Sequence, residues 1–237
     1  MTSELRSICV MGLGYIGLPT ASLLGTKGYK VLGVDVSPSV VDTINKGEIH
    51  IVEPDLDIMV KSAVNAGNLT ASLEPTEADI FIIAVPTPFK ESADPNHISG
   101  KQPDLSYIAQ AVERISPYVK PGNLIILEST SPVGTTEEVV AKILKDKGHN
   151  TGDDIYIAHC PERVLPGRIL IELVENDRVV GGVNEASTQK AVEFYQEFVR
   201  GDVLGTTAKT AEMIKLTENS SRDVQIAFAN ELSMICE

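Results

Sequence analysis

The ten residues Val10-Met11-Gly12-Leu13-Gly14-Tyr15-Ile16-Gly17-Leu18-Pro19 limit what this chain can fold into more than any other stretch. They follow an apolar run over residues 7–11 that reads as a buried strand. They open residues 15–26, where apolar and small side chains recur at helical spacing. A Gly-x-Gly-x-x-Gly set between strand and helix has a physical task. Gly12 permits the tight turn, Gly14 leaves room for a pyrophosphate, and Gly17 lets helix and strand approach closely. Exposed N–H groups and the helix dipole, about half a unit charge, would face the phosphates. Glycine turns also serve plain packing, so the pattern needs a second sign.

Asp35 is that sign. It ends a second strand-like run, residues 29–34, about twenty residues past the glycines, where a ribose-binding acid belongs. Its carboxylate accepts from ribose hydroxyls and repels a 2′-phosphate. No Arg or Lys follows it in Val36-Ser37-Pro38-Ser39, which favours NAD over NADP. The unit reads as a dinucleotide site, with Tyr15 and Ile16 in the turn beside the glycines.

The chain has 237 residues, enough for one large domain or one domain and part of another. Its net charge of −13 and the lack of a basic patch with interleaved aromatics argue against a nucleic-acid partner. No apolar run approaches a membrane span and the first residues are no signal peptide, so the cytoplasm is the expected location. Cys9, Cys160 and Cys236 show no paired spacing, and His50, His97, His149 and His159 are scattered, so neither a disulfide framework nor a metal site is expected.

Strand-like and helix-like segments then alternate, predicting an α/β protein with a Rossmann-like, doubly wound parallel sheet. Ser37 can cap a helix to about Lys46, and Asp55 another to about Ala66. Further strands are expected over residues 69–72, 79–85, 123–127, 155–158, 178–180 and 203–204. Helices are expected from Asp104 or Ser106 to Pro117, to about Lys147, and over residues 185–199. Residues 89–103 are polar and aperiodic, as in a functional or mobile loop. Residues 206–237 contain neither Gly nor Pro and predict one long helix, capped by Thr206 or Thr207 and still running at Glu237. A helix without a stop signal predicts a chain that has been cut short.

In an open parallel sheet, ligands sit beyond the carboxyl ends of the strands. Pro86-Thr87-Pro88, Ser129-Thr130 and Pro161-Glu162-Arg163 each follow a buried strand and share that edge with the glycine turn. Spacing alone leaves helix capping as an equal account of Ser129 and Thr130, and a solvated carboxylate as an equal account of Glu162. Lys215, Asn219 and Arg222 lie at i, i+4 and i+7 on the last helix and share a face. A solvated stripe is the ordinary account, although Asn219-Ser220-Ser221 are poor helix formers.

Together these words resemble the nucleotide-sugar 6-dehydrogenases, the NAD-dependent family that includes UDP-glucose dehydrogenase. The resemblance runs from the glycine turn through Val85-Pro86-Thr87-Pro88 and Glu128-Ser129-Thr130 to Lys215-Leu216-Thr217-Glu218-Asn219. Cys160-Pro161-Glu162-Arg163-Val164-Leu165-Pro166-Gly167 looks like the branch acting on UDP-N-acetyl-D-mannosamine. So do Ile49-His50-Ile51-Val52-Glu53-Pro54-Asp55-Leu56 and Thr217-Glu218-Asn219-Ser220-Ser221-Arg222-Asp223. The family oxidises a primary alcohol to a carboxylate in two hydride transfers, holding the aldehyde on a cysteine as a thiohemiacetal.

The resemblance implies roles for residues of this chain. Lys215 and Asn219 would stabilise an oxyanion and bind a catalytic water, which Thr130 would help position. Glu162 would serve acid–base chemistry, with Asp223 assisting. Pro86, Thr87 and Thr130 would contact NAD, while Glu162, Arg163, Val164, Lys215, Asn219 and Arg222 would contact the UDP-sugar. The resemblance also divides the chain into an NAD-binding domain over residues 1–205 and the start of a central helical domain over residues 206–237. That helix would build a homodimer, with Val224, Ala227, Phe228, Leu232 and Ile235 as its apolar face.

One departure stands out. The family's nucleophilic cysteine and its UDP-binding domain lie downstream of the last helix, and the sequence ends before either. None of the three cysteines fits, and no glycine-rich or cationic turn is expected to activate Cys160. Residues 1–237 alone are therefore expected not to complete the oxidation. A sister specificity for UDP-glucose or UDP-N-acetylglucosamine, or an NAD-binding dimerisation module without catalysis, are the alternatives.

Overall fold

The computed structural model describes residues 6–90, 102–151 and 154–236. Most of the polar stretch 89–103 and the first five residues lie outside them. Eight strands form one sheet: β1 (Ser7–Met11), β2 (Lys30–Val34), β3 (Leu69–Ser72), β4 (Ile80–Ile83), β5 (Leu124–Leu127), β6 (Tyr156–His159), β7 (Arg178–Gly182) and β8 (Val203–Thr207). Their order is β3-β2-β1-β4-β5-β6-β7-β8. The chain therefore winds outward from β1 in one direction, returns, and winds out the other way from β4. A crevice opens at that switch point, between β1 and β4.

The apolar strand runs are continuous because both sheet faces are covered. Val10, Ile82 and Ile126 pack into one core, with Leu18 of α1 (Gly17–Thr26), Val60 of α3 (Leu56–Asn65) and Phe194 of α7 (Glu185–Gln196). Their neighbours Met11, Ile83 and Leu127 pack into the other, with Ile108 and Ile115 of α4 (Ser106–Ile115) and Leu144 of α5 (Lys142–Asp146). Alternation along each strand feeds both layers at once.

Several expectations shift. The sheet is mixed, since β7 pairs antiparallel with β6 and β8 pairs parallel with β7. Between β6 and β7 lies α6 (Ile169–Glu175), a helix absent from the sequence expectations. Its N-terminal amides are satisfied from far away: buried Glu53 accepts from Gly167 N–H (2.9 Å) and Ile169 N–H (2.8 Å). Neither Ser37, before α2 (Pro38–Asn45), nor Asp55, before α3, caps through its side chain. Ser37 bonds Ser39 instead, and Asp55 turns the chain at φ 62°. The helix expected near Lys147 begins as a π-helical segment, Thr136–Ala141. The long helix α8 runs Ala208–Cys236 and is capped by Thr207, whose hydroxyl accepts from Thr210 N–H (3.3 Å).

Candidate active site

The crevice at the switch point is a cleft of about 650 Å³, within the range of ordinary ligand sites. Its floor is the glycine turn. Gly12 takes φ +92°, and a Cβ there would meet the Ala84 carbonyl oxygen at 2.7 Å. A Cβ on Gly17 would stand 1.8 Å from the Gly12 oxygen, so this glycine packs beneath the turn rather than lining the cleft. A Cβ on Gly14 would meet nothing within 4 Å and would enter open space in the cleft. No side chain caps α1 and no acid occupies its first turn, which leaves its dipole facing that space. Asp35 stands at the same end, its Oδ2 accepting from Leu13 N–H (3.0 Å) and its Oδ1 from Ser37 N–H (2.9 Å). The residues at this end fit a dinucleotide: backbone donors for phosphate, a carboxylate for ribose, and space where only glycine leaves it.

Pro86, Thr87, Ser129 and Thr130 form the middle wall. Neither Ser129 nor Thr130 caps a helix. Ser129 donates to the Val85 carbonyl (2.7 Å) and Thr87 to the Thr130 carbonyl (2.7 Å), which ties the turns after β4 and β5 together. Tyr15 and Ile16 line the cleft beside the glycines, and Tyr107, Gln110 and Arg114 of α4 close the opposite side.

The inner end is charged and buried. Glu162 is no solvated carboxylate: it is 6% exposed and receives Arg178 Nη1 at 2.6 Å. The antiparallel register pairs Ala158 with Gly182 and His159 with Gly181. Continued outward, it brings Arg178 level with Glu162, which is how residues 16 apart come to touch. Glu128, at the end of β5, accepts the Tyr195 hydroxyl on Oε1 (2.7 Å). Arg178 also stands over the Tyr195 ring, 5.4 Å from its centroid. Glu128, Arg178 and Tyr195 carry no motif of their own in the sequence that assigns them a role. A charged residue opening an otherwise apolar strand, Arg178 before Val179-Val180, was the one available signal.

This crowding moves several protonation equilibria. Burial, reinforced by the charge of Glu162, pushes Glu128 up to about 7, against the pull of Arg178 and the Tyr195 hydrogen bond. Burial works against the charge of Arg178, but Glu162 and its neighbours hold the guanidinium firmly protonated. Arg178 Nη1 also lies 4.0 Å from Cys160 Sγ, so a cation does stand beside this thiol. Burial nevertheless outweighs it and pushes Cys160 up to about 12, which leaves the thiol un-ionised and a poor nucleophile.

Val164 lines the inner end, and α8 brings Lys215 there. Burial lowers the Lys215 amine, opposed by the charges of Glu162 and Glu218. The helix is pinned one turn earlier by Glu212, fully buried, which accepts from Gly134 N–H (2.6 Å), Thr136 N–H (2.8 Å) and the Thr136 hydroxyl (2.6 Å). Arg163 reaches α8 through Glu218 (3.0 Å) rather than facing the cleft. Asn219 and Asp223 are exposed further along α8 and do not line the cleft. Arg222 lines a separate groove with Ser221 and Gln225, so the Lys215-Asn219-Arg222 stripe is divided between surfaces. Among the described residues there is no cluster of three or more His, Cys, Asp or Glu suited to a metal. No helix there is long and apolar enough to cross a membrane.

A glycine turn at a switch point, a ribose acid and a polar inner wall define a dinucleotide-binding α/β protein. The sequence narrows this further. Residues 6–199 match the NAD binding domain of the UDP-glucose/GDP-mannose dehydrogenase family, and residues 209–237 match that family's central domain. The chain belongs to this family, and its cofactor is NAD. It is 53% identical to UDP-N-acetyl-D-mannosamine dehydrogenase of Campylobacter jejuni, over 99% of this chain and 58% of the relative. It is 54% identical to NDP-N-acetyl-D-galactosaminuronic acid dehydrogenase of Ralstonia solanacearum, over 99% of this chain and 55% of the relative. The solved UDP-N-acetyl-mannosamine dehydrogenase of Staphylococcus aureus superposes with a TM-score of 0.89 at 44% identity, covering 97% of this chain and 54% of that one. The chain thus spans about half the length of the curated relatives it matches.

Proposed function

We propose that residues 1–237 are the N-terminal half of an enzyme that oxidises UDP-N-acetyl-D-mannosamine to its uronate with two NAD. The observation that carries this reading is the convergence of Thr130, Glu162 and Lys215 on one NAD cleft. Bound NAD supplies the hydride acceptor. Glu162, held by Arg178, exchanges protons with the reacting oxygen. Lys215 offers its ammonium to a developing oxyanion, and Asn219, exposed one turn on, meets the substrate from outside the cleft. Thr130 orients a water, and Asp223 assists from the solvent side. Val164 contacts the sugar nucleotide inside the cleft, and Arg163 and Arg222 contact it from the outer surface along α8. The division at residues 205/206, a cytoplasmic location and a homodimer built on α8 belong to the same proposal. Exposed Val224, Phe228, Leu232 and Ile235 support the last of these.

With Cys160 buried and un-ionised, residues 1–237 bind NAD but do not complete the oxidation. The 54% identity to the Ralstonia relative favours a second reading, in which the sugar is an N-acetyl-galacto epimer. The test follows NADH formation by these residues joined to a downstream half like that of the relatives. Two NADH per UDP-N-acetyl-D-mannosamine, with little from UDP-N-acetyl-D-galactosamine, UDP-N-acetylglucosamine or UDP-glucose, is the expected result. Preference for another sugar would overturn the substrate assignment, and NADH production by residues 1–237 alone would overturn the incompleteness.

A further inference from the structure

We infer that Glu128 is the counter-charge of the coenzyme, a carboxyl at the inner end of the cleft that favours oxidised over reduced nicotinamide. This rests on reading the cleft as an NAD site. Asp35 closes β2 and the glycine turn follows β1, so the ribose and pyrophosphate occupy the β2–β1 side. The rest of a dinucleotide must then cross β4 toward the end of β5, where Glu128 lines the cleft.

Glu128 has no cation of its own, because the Lys215 ammonium at that end faces Glu162 and Glu218. Glu128 and Glu162 are both buried beside one guanidinium. Arg178 gives Nη1 to Glu162 (2.6 Å) and Nη2 to the Leu173 carbonyl (3.0 Å), and its buried Nε reaches no acceptor, Glu128 included. Glu128 keeps the Tyr195 hydroxyl on Oε1, while its Oε2 has no partner and is shielded from water. The other groups around it are the un-ionised Cys160 thiol after β6 and Lys215 of α8, which lines the same cleft. A buried carboxylate short of one partner either takes a proton or gains a cation. Its titration at about 7 matches that position.

Oxidised nicotinamide is such a cation, and reduced nicotinamide is neutral. NAD⁺ binding would therefore release the Glu128 proton to solvent, and replacement by NADH would take one back. Only the carboxyl O–H bond breaks and re-forms; no electron passes through Glu128. The same coupling makes NAD⁺ affinity rise with pH, while NADH affinity stays nearly flat.

The test is titration calorimetry of the 237-residue chain with NAD⁺ and with NADH, at pH of about 6 and about 8. Repeating it in two buffers of different ionisation enthalpy counts the protons. The expected result is a gain in NAD⁺ affinity of about fivefold or more across that interval, with proton release, and a smaller change for NADH. In Glu128→Gln the pH step disappears and NAD⁺ loses its advantage by a similar factor. Tyr195→Phe keeps the step but moves it to higher pH, because the hydroxyl that favours the ionised form is gone. An affinity ratio independent of pH in the native chain, or a step that survives in Glu128→Gln, would overturn the inference. Binding of neither nucleotide would instead sink the NAD reading on which it stands.

Discussion

The two ends of the cleft are built by opposite means. At the ribose and phosphate end the donors are backbone N–H groups, and Asp35 is fixed by amides close in sequence, Leu13 and Ser37. At the inner end the groups are charged side chains brought from β5, β6, β7, α7 and α8 and removed from water. A backbone site tolerates little steric change but carries small electrostatic risk. A buried charge cluster tolerates isosteric change better, but depends on every partner being present. The contrast teaches that binding and chemistry are stabilised separately in this fold.

The largest effect should come from breaking the inner end. Arg178→Met removes the buried ion-pair partner of Glu162 and is expected to cost about 3–5 kcal/mol in denaturant unfolding. Adding Glu162→Gln should recover much of that loss, since the uncompensated charge is then gone. Equal unfolding midpoints for Arg178→Met and the native chain would show that the two ends do not differ as described.

The pH dependence of stability separates two buried groups at the carboxyl edge of the sheet. Burial pulls His159 down to about 4 from 6.5, so its contribution is full above 6.5 and is lost as pH falls toward 4. Glu128 is raised from 4.5 to about 7, so its contribution is full below 4.5 and is lost as pH rises toward 7. Each arm should be on the order of 2–3 kcal/mol in unfolding curves taken across pH. Glu128→Gln should flatten only the upper arm.

At the backbone end, Gly17→Ala forces a methyl against the Gly12 carbonyl and should cost about 1–3 kcal/mol, with NAD binding lost. Glu212→Gln keeps an acceptor for Thr136 but turns an amide NH2 against the buried Gly134 N–H, and should also cost about 1–3 kcal/mol. A drop in the NAD-dependent melting shift for Glu212→Gln would extend its role from holding α8 to placing Lys215.

Much of this was legible in the sequence where causes are local. The apolar strand runs, the turn after β1 and the acid after β2 each specify themselves within about twenty-five residues. What escaped depends on distant partners. Helix α6 carries no cap of its own, because its cap is Glu53, 116 residues before Ile169. Missing α6 hides the reversal of β7, and without that reversal nothing aligns Arg178 with Glu162. Glu162 was therefore open to a solvated reading, and Glu128 and Tyr195 had no role. The Lys215-Asn219-Arg222 stripe was legible as a helix face, but its division between cleft and outer groove depends on how Glu212 seats α8.

Whether the glycine-turn cleft binds NAD is decided at Gly14. Its Cβ position is empty of protein, so Gly14→Val should leave the melting temperature of the free chain nearly unchanged. Calorimetry with NAD⁺ is expected to show one binding site in the native chain and none in Gly14→Val. Equal binding by both chains, or no binding by the native chain, would contradict the account.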